Sequence, residues 1–401
     1  MLSGSAGIPP KAPPKPSDTL LSASSLLANR FPSIQPLRVY TVPGREPRLN
    51  LVTDSINAGS LFGGVGTAII LATMLASRRG AKLRVVTRTE APDEQGFSQV
   101  LECNGLTTPG NVEFVHLNVN DSKSQLDVCE GDRFLTTSWW TTASVLGSVP
   151  AGRVDYLLQE DERMFYPLGD DWLRCNELLQ RRDIRFVINT ELLYRHLVDN
   201  GLAHLKDVAV WFEPAFPKQA IQGSMTTASS GKRNLFFYAR PNNLRNLFYR
   251  GLEVLDRAVL EGIIDPRRWE VIFVGKDVPK VRLGEKLEPV VLPTMGWRDY
   301  GRFISEVDVG LCLMCTPHPS YPPLDLAAAG AFVLTNKFGL KQDLRQYSDR
   351  IVCSELDTVS LLEGLRTVIA MAESEAPQPR EEAKVSRSWP SSLKAAVDHL
   401  T

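Results

Sequence analysis

Two segments in the second half of the chain carry residues suited to binding a phosphorylated ligand. Arg240 and Arg245 flank the turn in FFYARPNNLRN, where two guanidinium groups can grip a diphosphate and stabilise charge on a leaving group. The segment 315–330 (CTPHPSYPPLDLAAAG) opens a helix at its prolines, and the unpaired N–H groups at a helix start favour phosphate. Asp325 lies on the first turns of that helix, where its carboxylate can accept a hydrogen bond from a hydroxyl group. We therefore predict an anion site with a hydroxyl-binding acid beside it.

Acidic and aromatic residues in the first half of the chain follow two predicted strands. Glu160 and Glu162 come directly after the apolar strand 154–159, and a carboxylate at that edge of a sheet can act as a general base. A charged surface loop would have the same composition, so this alternative stays open. Trp139 and Trp140 follow an earlier strand and belong either to the core or to a surface that stacks on sugar rings.

A glycine-rich turn precedes the first predicted long helix. In AGSLFGGVG (58–66), Gly63 and Gly64 let a ligand approach the backbone, although close helix packing explains the glycines equally well. The turn is a poor dinucleotide fingerprint because Ile69 stands at the third glycine position, and no Gly-Lys-Ser/Thr of an ATP loop follows. Arg88, not an acid, ends the second predicted strand. An NAD-dependent oxidoreductase is therefore disfavoured.

One cysteine pair has the spacing of a metal site. Cys312 and Cys315 are followed by His318, but no second Cys/His pair has matching spacing elsewhere in the sequence. We therefore predict neither a bound metal nor a cofactor.

The elements that must position these residues alternate between apolar strands and helices, and the pattern occurs twice. Near-continuous apolar strands separated by helices indicate a parallel sheet covered on both faces. The predicted strands are 49–53, 83–87, 112–117, 133–137, 154–159 and 185–189, then 235–239, 270–274, 290–292, 307–313 and 332–335. The predicted helices are 20–29, 63–79, 139–146, 171–180, 191–200, 245–261, 297–305, 323–329, 359–371 and 389–400. The fold class is therefore α/β, with two doubly wound domains and a ligand site in the cleft that they face, at the carboxyl ends of the strands.

Composition divides the chain further. Nine of the 27 prolines fall in the first fifty residues, which favours a flexible or loosely docked extension. The small, polar residues before the second set of strands are typical of a linker. The predicted segments are the extension 1–47, the first domain 48–219, the linker 220–232, the second domain 233–374, and a polar segment with a terminal helix, 375–401, for which a return to the first domain stays open.

Charge and hydrophobicity exclude several classes of function. The 401 residues have a formal net charge of −1 and no long run of one sign, which disfavours nucleic acid as a partner. The longest apolar stretch, 65–76, is too short to cross about 30 Å of hydrocarbon. The N-terminus lacks the apolar core of a signal peptide, and six cysteines are too few for a disulfide scaffold. We expect a cytoplasmic protein; peripheral contact with the inner face of the membrane stays open.

Residues 49–371 resemble retaining GT-B glycosyltransferases of family 4 type. Within that family they look most like the WsaF-like bacterial rhamnosyltransferases, which use dTDP-β-L-rhamnose in building surface glycans. The segments that carry the resemblance are QEDERMFYPLG (159–169), SWWT (138–141) and YPPLD (321–325).

The resemblance assigns roles to individual residues. Arg240 matches the arginine of the donor diphosphate site, and Arg245 falls about where the family has a lysine. Asp325 matches the second acid of an E-x7-E motif that contacts the ribose; the first acid would fall at Pro317, so its contact is absent or supplied by His318. Glu160 stands where relatives usually have aspartate. The implied donor-binding residues are Gly63, Gly64, Arg240, Arg245, Gly275, His318, Ser320, Tyr321 and Asp325; the catalytic residues are Glu160, Glu162, Arg240 and Arg245; and the acceptor-binding residues are Trp139, Trp140 and Glu160.

The resemblance implies metal-independent transfer of a deoxysugar to a saccharide hydroxyl group. The expected sugar is L-rhamnose, and the expected donor is dTDP-β-L-rhamnose. Its partners would be that nucleotide sugar, the saccharide acceptor and, as an open alternative, other glycan-assembly enzymes. A catalytically silent GT-B-shaped binding or scaffold protein is the rival interpretation, because the first acid is missing.

Overall fold

The computed structural model describes residues 20–57, 61–121, 123–221, 231–293, 295–374 and 384–401. They divide into two α/β units. The first unit takes its described residues from Met1–Glu102, Leu106–Glu213 and Pro390–Thr401, and the second from Cys103–Gly105 and Pro214–Trp389. The start of the predicted extension, most of the predicted linker and the start of the predicted C-terminal segment lie outside the described residues.

The first unit is built on a seven-stranded parallel sheet with the order β4-β3-β2-β6-β7-β8-β9. β1 and β5 form a separate parallel pair. The strands are β1 Val39–Thr41, β2 Arg48–Thr53, β3 Lys82–Thr87, β4 Glu113–His116, β5 Leu126–Val128, β6 Arg133–Thr136, β7 Val154–Leu158, β8 Arg185–Asn189 and β9 Ala209–Phe212. The order reverses between β2 and β6, so the topological switch point, where open α/β sheets bind ligands, lies between these two strands.

Helices cover this sheet because its central strands are apolar on both faces. Leu51, Val85, Leu135 and Leu157 are fully buried. The helices are α1 Ala23–Arg30, α2 Gly66–Arg79, α3 Glu94–Cys103, α4 Trp139–Leu146, α5 Asp170–Leu179, α6 Glu191–Asp199 and α7 Leu205–Val208.

The described part of the predicted extension packs against the first unit. Helix α1 buries none of its residues, but the chain that follows it does. The Phe31 ring lies under the guanidinium groups of Arg30, 4.6 Å from the centroid, and Arg174, 4.1 Å from it. The Leu37 N–H donates to the Ser144 carbonyl at 3.2 Å. Residues 31–41 are therefore fixed by ring contacts and by the β1–β5 pairing.

Buried charges at the amino ends of β2 and β3 are paired within the first unit. Arg48 donates to Asp132 at 2.9 Å and to Asp127 at 2.8 Å, and Arg84 donates to Asp127 at 2.9 Å. Since a buried charge is tolerated only when it is paired, these acids explain how two arginines occupy a covered sheet.

The second unit repeats the architecture with a six-stranded parallel sheet of order β12-β11-β10-β13-β14-β15. Its strands are β10 Arg233–Tyr238, β11 Trp269–Val274, β12 Val290–Leu292, β13 Val309–Leu311, β14 Phe332–Asn336 and β15 Ile351–Ser354. Its helices are α8 Phe248–Leu260, α9 Trp297–Ile304, α10 Tyr321–Ala328 and α11 Thr358–Ser374. Here the switch point lies between β10 and β13.

The C-terminal segment ends on the first unit. After α12 (Trp389–Ser392), α13 (Lys394–Leu400) contacts α2 and β9. The Leu400 carbonyl accepts hydrogen bonds from Arg79 and Arg185, the latter at 2.8 Å. Arg185 also donates to the fully buried Asp155 at 2.9 Å, which ties the terminal helix to β7 and β8.

Candidate functional site

The turn after β10 holds the first predicted arginine at the switch point of the second unit. Arg240 is partly buried, and its Nη1 donates to the Tyr238 hydroxyl at 3.0 Å. Burial raises the pKa of Tyr238, so this hydroxyl keeps its proton and can accept from a cation without carrying charge. The guanidinium is thus oriented by a neutral hydroxyl group.

The second predicted arginine connects the turn after β10 with the loop after β13. Arg245 lies in the 3₁₀ turn Leu244–Asn246, and its carbonyl accepts the Cys315 N–H at 2.8 Å. Leu247, with φ of +50°, ends this turn before α8 begins at Phe248. The predicted helix 245–261 therefore starts later than expected, and Arg245 stands on a turn at the edge of the sheet.

The loop before α10 buries a histidine that is neutral. His318 Nδ1 accepts the Ser320 N–H at 2.8 Å, and its ring stacks on Tyr321 with centroids 5.8 Å apart. Burial, together with the charge of Lys341, lowers the pKa of His318 to about 3. Because Nδ1 accepts, the ring proton lies on Nε2, which is buried and has no hydrogen-bond partner among the described residues. Ser320 has a left-handed φ of +70°, a strained conformation for a residue with a side chain.

Asp325 lies one turn further along α10. Burial raises its pKa to about 7, and the Tyr300 hydroxyl oxygen lies 3.4 Å from Asp325 Oδ2. A carboxyl group in this state is poised to change charge near neutral pH when a hydroxyl group binds to it.

Gly275 serves the site through its missing side chain. A Cβ built on Gly275 would lie 1.6 Å from the Ala239 carbonyl oxygen, so the end of β11 approaches the backbone directly before Arg240. Gly275 therefore sets the position of the turn after β10 that carries Arg240 (the arginine turn), whether or not Gly275 itself touches a ligand.

Lys341 is a cation at the same sheet edge that the sequence analysis missed. It is fully buried in the loop after β14, and its Nζ donates to the Met314 carbonyl at 3.4 Å. Asn336 Oδ1 accepts the Met314 N–H at 2.7 Å. The sequence does show a lysine a few residues after an apolar strand. However, the segment FGLKQ (338–342) matches no motif that would identify Lys341 as a site residue.

The first unit brings the glycine turn to the end of β7. Residues Leu61–Val65 form a single π-helical turn, a feature frequent at functional sites, and Gly63 has a left-handed φ of +69°. Gln159 Nε2 donates to the Gly64 carbonyl at 2.7 Å. Glu160, which follows Gln159, therefore stands beside the glycine turn; it is 3% exposed, and its Oε1 accepts the Asp161 N–H at 3.0 Å.

Trp139 and Glu162, predicted to act in acceptor binding and in catalysis, lie buried in the first unit. Trp139 is 2% exposed and its indole N–H donates to the Tyr166 hydroxyl at 3.0 Å. Glu162 is 1% exposed, and its Oε2 accepts the Trp139 backbone N–H at 2.6 Å. Glu162 is thus a cap of α4, where a negative charge is favourable.

Trp140 and Asp54 meet at the switch point of the first unit. Both are partly exposed, and the Trp140 indole N–H donates to Asp54 Oδ2 at 2.6 Å. Asp54 directly follows β2 and was missed in the sequence, because an acid in TDSIN reads as an ordinary turn until the neighbours of β2 are known.

The described residues contain no group of three or more His, Cys, Asp or Glu side chains arranged to hold a metal ion. They also contain no helix with the length and apolar character needed to span a bilayer.

Models of a known family match both units. The model of the WsaF N-terminal domain matches residues 48–190, and that of the WsaF C-terminal domain matches residues 233–366, together more than half of the chain. The chain belongs to the WsaF family. The O-antigen biosynthesis protein RfbC of Myxococcus xanthus is 28% identical over 319 residues, which cover 78% of this WsaF-family chain and 24% of RfbC. The chain thus spans about a quarter of the length of that relative.

Solved structures similar to this WsaF-family chain include GT-B glycosyltransferases. WaaG, a glycosyltransferase involved in lipopolysaccharide biosynthesis, is similar with a TM-score of 0.56 and 14% identity, over 88% of this chain and 99% of WaaG. Anabaena Alr3699/HepE, solved with UDP and glucose, is similar with a TM-score of 0.55 and 13% identity, over 81% of this chain and 92% of HepE. The predicted fold class, GT-B with two doubly wound Rossmann-like domains, is confirmed.

In this member of the WsaF family, the structure groups the predicted donor residues of the second unit, but not Gly63 and Gly64, at one sheet edge. Arg240 and Arg245 follow β10, and His318, Ser320, Tyr321 and Asp325 follow its neighbour β13. Gly63, Gly64, Trp140 and Glu160 belong to the first unit.

Proposed function

We propose that this chain is a retaining glycosyltransferase that moves L-rhamnose from dTDP-β-L-rhamnose to a saccharide hydroxyl group in surface-polysaccharide synthesis. The carrying observation is that two arginines and an acid-bearing helix start flank the switch point of the second unit, in a chain of the WsaF family. The name of RfbC supports the polysaccharide assignment, and HepE, which binds UDP, supports a nucleotide-sugar donor.

The second unit would bind the donor. Arg240 and Arg245 would neutralise the diphosphate, and the positive end of the α10 dipole would add partial positive charge. Asp325 would accept a hydrogen bond from the 3′-hydroxyl group of the nucleoside. A shorter acid than the family's glutamate suits a deoxyribose.

The reaction exchanges one bond of the anomeric carbon for another on the same face of the sugar. The bond to the diphosphate oxygen breaks as the acceptor oxygen bonds, and the acceptor proton passes to the leaving phosphate. Glu160 would orient the acceptor beside the glycine turn. The two arginines would stabilise charge that grows in the transition state, which is where electrostatic stabilisation accelerates a reaction.

The test is to assay turnover of dTDP-β-L-rhamnose after a thermal-shift comparison of dTDP, UDP and GDP. We expect dTDP to give the largest stabilisation, because a bound ligand raises the melting temperature. Arg240→Ala should lower transfer about a hundredfold or more. Arg267→Ala, which removes a guanidinium that is 90% exposed and paired only with its neighbour Asp265, is the control. Equal turnover by Arg240→Ala and the wild type would disprove the site assignment.

A catalytically silent binding protein is the second candidate, favoured by Pro317 at the position of the first acid. It predicts a nucleotide-induced rise in melting temperature without consumption of any nucleotide sugar, with or without a saccharide acceptor.

A further inference from the structure

We propose that Asp54, Trp140 and Phe165 form a saccharide subsite in the first unit. The Asp54 carboxylate accepts hydrogen bonds from sugar hydroxyl groups, and the Trp140 ring packs against the apolar C–H face of a pyranose. The identification of this sugar as the acceptor rests on the proposed function. The binding of a sugar at this subsite does not depend on that proposal.

The position of Asp54 and Trp140 in the topology favours a ligand site. Asp54 follows β2 and Trp140 follows β6, and these two strands are the neighbours between which the strand order reverses. In open parallel sheets the loops leave in opposite directions at this point and open a crevice at the carboxyl edge. The donor residues of the second unit occupy the equivalent point of their own sheet.

The Asp54 carboxylate is held in one orientation. Its Oδ2 accepts the Trp140 indole N–H at 2.6 Å, a charge-assisted bond. The Asp54 carbonyl accepts the backbone N–H groups of Arg88 at 3.1 Å and Thr89 at 3.0 Å. Backbone and side chain are therefore both fixed before any ligand arrives, which lowers the entropy lost on binding.

The loop after Asp54 is held by a second acid. Glu90 Oε2 accepts the Ser55 hydroxyl at 2.6 Å and the Asn57 amide at 3.0 Å. The Thr87 hydroxyl donates to the Glu90 carbonyl at 2.6 Å, so the segment after β3 is itself fixed. The turn after β3 thus acts as a rigid support for the turn that carries Asp54.

Aromatic rings lie beside the carboxylate. Trp140 and Phe165 are both partly exposed, with centroids 6.3 Å apart and planes at 53°. The buried Trp139 packs edge-on against Trp140, at 6.3 Å and 85°, and supports it from the core side. A pyranose presents apolar C–H groups and polar hydroxyl groups. An aromatic ring next to a fixed carboxylate can contact both, the ring packing on the C–H groups and the carboxylate accepting from the hydroxyl groups.

Arg88 carries a buried charge that interacts electrostatically with the Asp54 carboxylate. It is 1% exposed, and its Nη2 donates to the Ser33 carbonyl at 2.6 Å. Its Nε and Nη1 are buried and have no hydrogen-bond partner among the described residues. Burial raises the pKa of Asp54, and the charge of Arg88 opposes that rise. Arg88 therefore favours the ionised carboxylate, the stronger acceptor for hydroxyl groups.

The binding experiment uses the full chain without nucleotide. Saturation-transfer-difference NMR is recorded with millimolar methyl α-L-rhamnoside, methyl α-D-mannoside and methyl β-D-glucoside. We expect transfer to at least one glycoside and a dissociation constant about tenfold higher for Asp54→Asn, which keeps an acceptor for the indole N–H. Trp140→Phe should weaken binding while keeping an aromatic ring. Asp183→Asn, in an exposed pair of the same unit, is the matched control and should bind like the wild type.

Two results would overturn the subsite directly: no glycoside bound by the wild type, or equal glycoside binding by Asp54→Asn and Asp183→Asn. A third result, a parallel loss of dTDP affinity in Asp54→Asn, would also overturn it because it would indicate a general structural defect. Calorimetry with dTDP supplies that last measurement. Glycoside binding that depends on Asp54 in a protein that turns over no nucleotide sugar would refute the proposed function and leave the subsite standing.

Discussion

At the residue scale, burial decides the charge of the groups around the switch point of the second unit. It lowers the pKa of His318 to about 3 and raises that of Asp325 to about 7. His318 thus offers an N–H donor at all ordinary pH values, next to the position where the family motif has a carboxylate acceptor. If the proposed donor site is correct, we expect His318 Nε2–H to donate to an oxygen atom of the nucleotide sugar, where the family's carboxylate would accept a hydrogen bond.

The pKa of Asp325 gives a pH-dependent prediction. If a ribose hydroxyl donates to Asp325, it binds the ionised carboxylate more tightly than the protonated one. We expect the affinity for dTDP, measured by calorimetry, to increase as pH rises through about 7. In Asp325→Asn this component should vanish and leave only the titration of the nucleotide itself. An unchanged pH profile in the variant would show that Asp325 does not face the nucleotide.

Gly275 gives a steric prediction. In Gly275→Ala the new Cβ would collide with the Ala239 carbonyl oxygen, 1.6 Å away, and the arginine turn must move. We expect a loss of about 1–3 kcal/mol in the free energy of unfolding and weaker dTDP binding. Gly152→Ala, where a Cβ meets no atom within 4 Å, is the control for urea unfolding. Wild-type nucleotide affinity in Gly275→Ala would mean that the turn can move without affecting the site.

Single residues also show what could be read from the sequence. The positions of Arg240 and Asp325 near the carboxyl ends of strands were predictable because each stands in a segment with a recognisable pattern. Asp54 obeys the same physical rule, a polar residue at the carboxyl end of a strand, but the rule needs the strand order. Since the pairing of β2 with β6 joins residues more than eighty positions apart, no local pattern contains it.

At the element scale, the start of α4 combines three caps. Ser138 accepts the Thr141 N–H at 3.2 Å, the Thr141 hydroxyl accepts the Ser138 N–H at 3.0 Å, and Glu162 takes the Trp139 N–H. The N–H groups of Ser138, Trp139 and Thr141 are thereby satisfied within the protein. This helix start carries Trp140, so the caps also fix the aromatic part of the proposed subsite.

Removal of these caps should destabilise the fold. We expect Ser138→Ala to lower the free energy of unfolding by about 1 kcal/mol, since the N3 amide loses its acceptor. Glu162→Ala should cost about 1–3 kcal/mol, because it leaves a buried N–H group without a partner. Urea denaturation measures both, with Glu177→Ala on the exposed side of α5 as reference. A Glu162→Ala protein as stable as the wild type would contradict the capping role.

The central strands of both sheets were the elements most readily predicted, because they are apolar on both faces. The strands β1, β5, β9 and β15, each three or four residues long, and the helices α3 and α7 were missed. α8 begins three residues later than predicted because Leu247 adopts a left-handed conformation that periodicity cannot reveal.

At the scale of the whole molecule, Asp155 joins distant parts of the first unit. This buried carboxylate binds Arg133 at 3.2 Å and Arg185 at 2.9 Å, and Arg185 holds the carbonyl groups of His399 and Leu400. The terminal helix is thereby anchored to the amino ends of β6, β7 and β8, at the edge opposite the proposed subsite.

Neutralising Asp155 should loosen this anchor. Asp155→Asn leaves the arginine cluster without its counter-charge, and we expect a loss of about 3–5 kcal/mol in the free energy of unfolding. Hydrogen exchange should increase in Lys394–Leu400 before the rest of the first unit. Asp398→Asn, in an exposed pair with Lys394, should change neither measurement. Unaltered exchange of the terminal helix in Asp155→Asn would show that its packing on α2 and β9 suffices.

The return of Pro390–Thr401 to the first unit sets an order of events during synthesis. The second unit is complete at Trp389, while the first still lacks the helix that covers part of α2 and β9. On the ribosome the later unit can therefore reach its final state before the earlier one. The proposed sugar subsite would gain its full stability only when residues 390–401 have emerged.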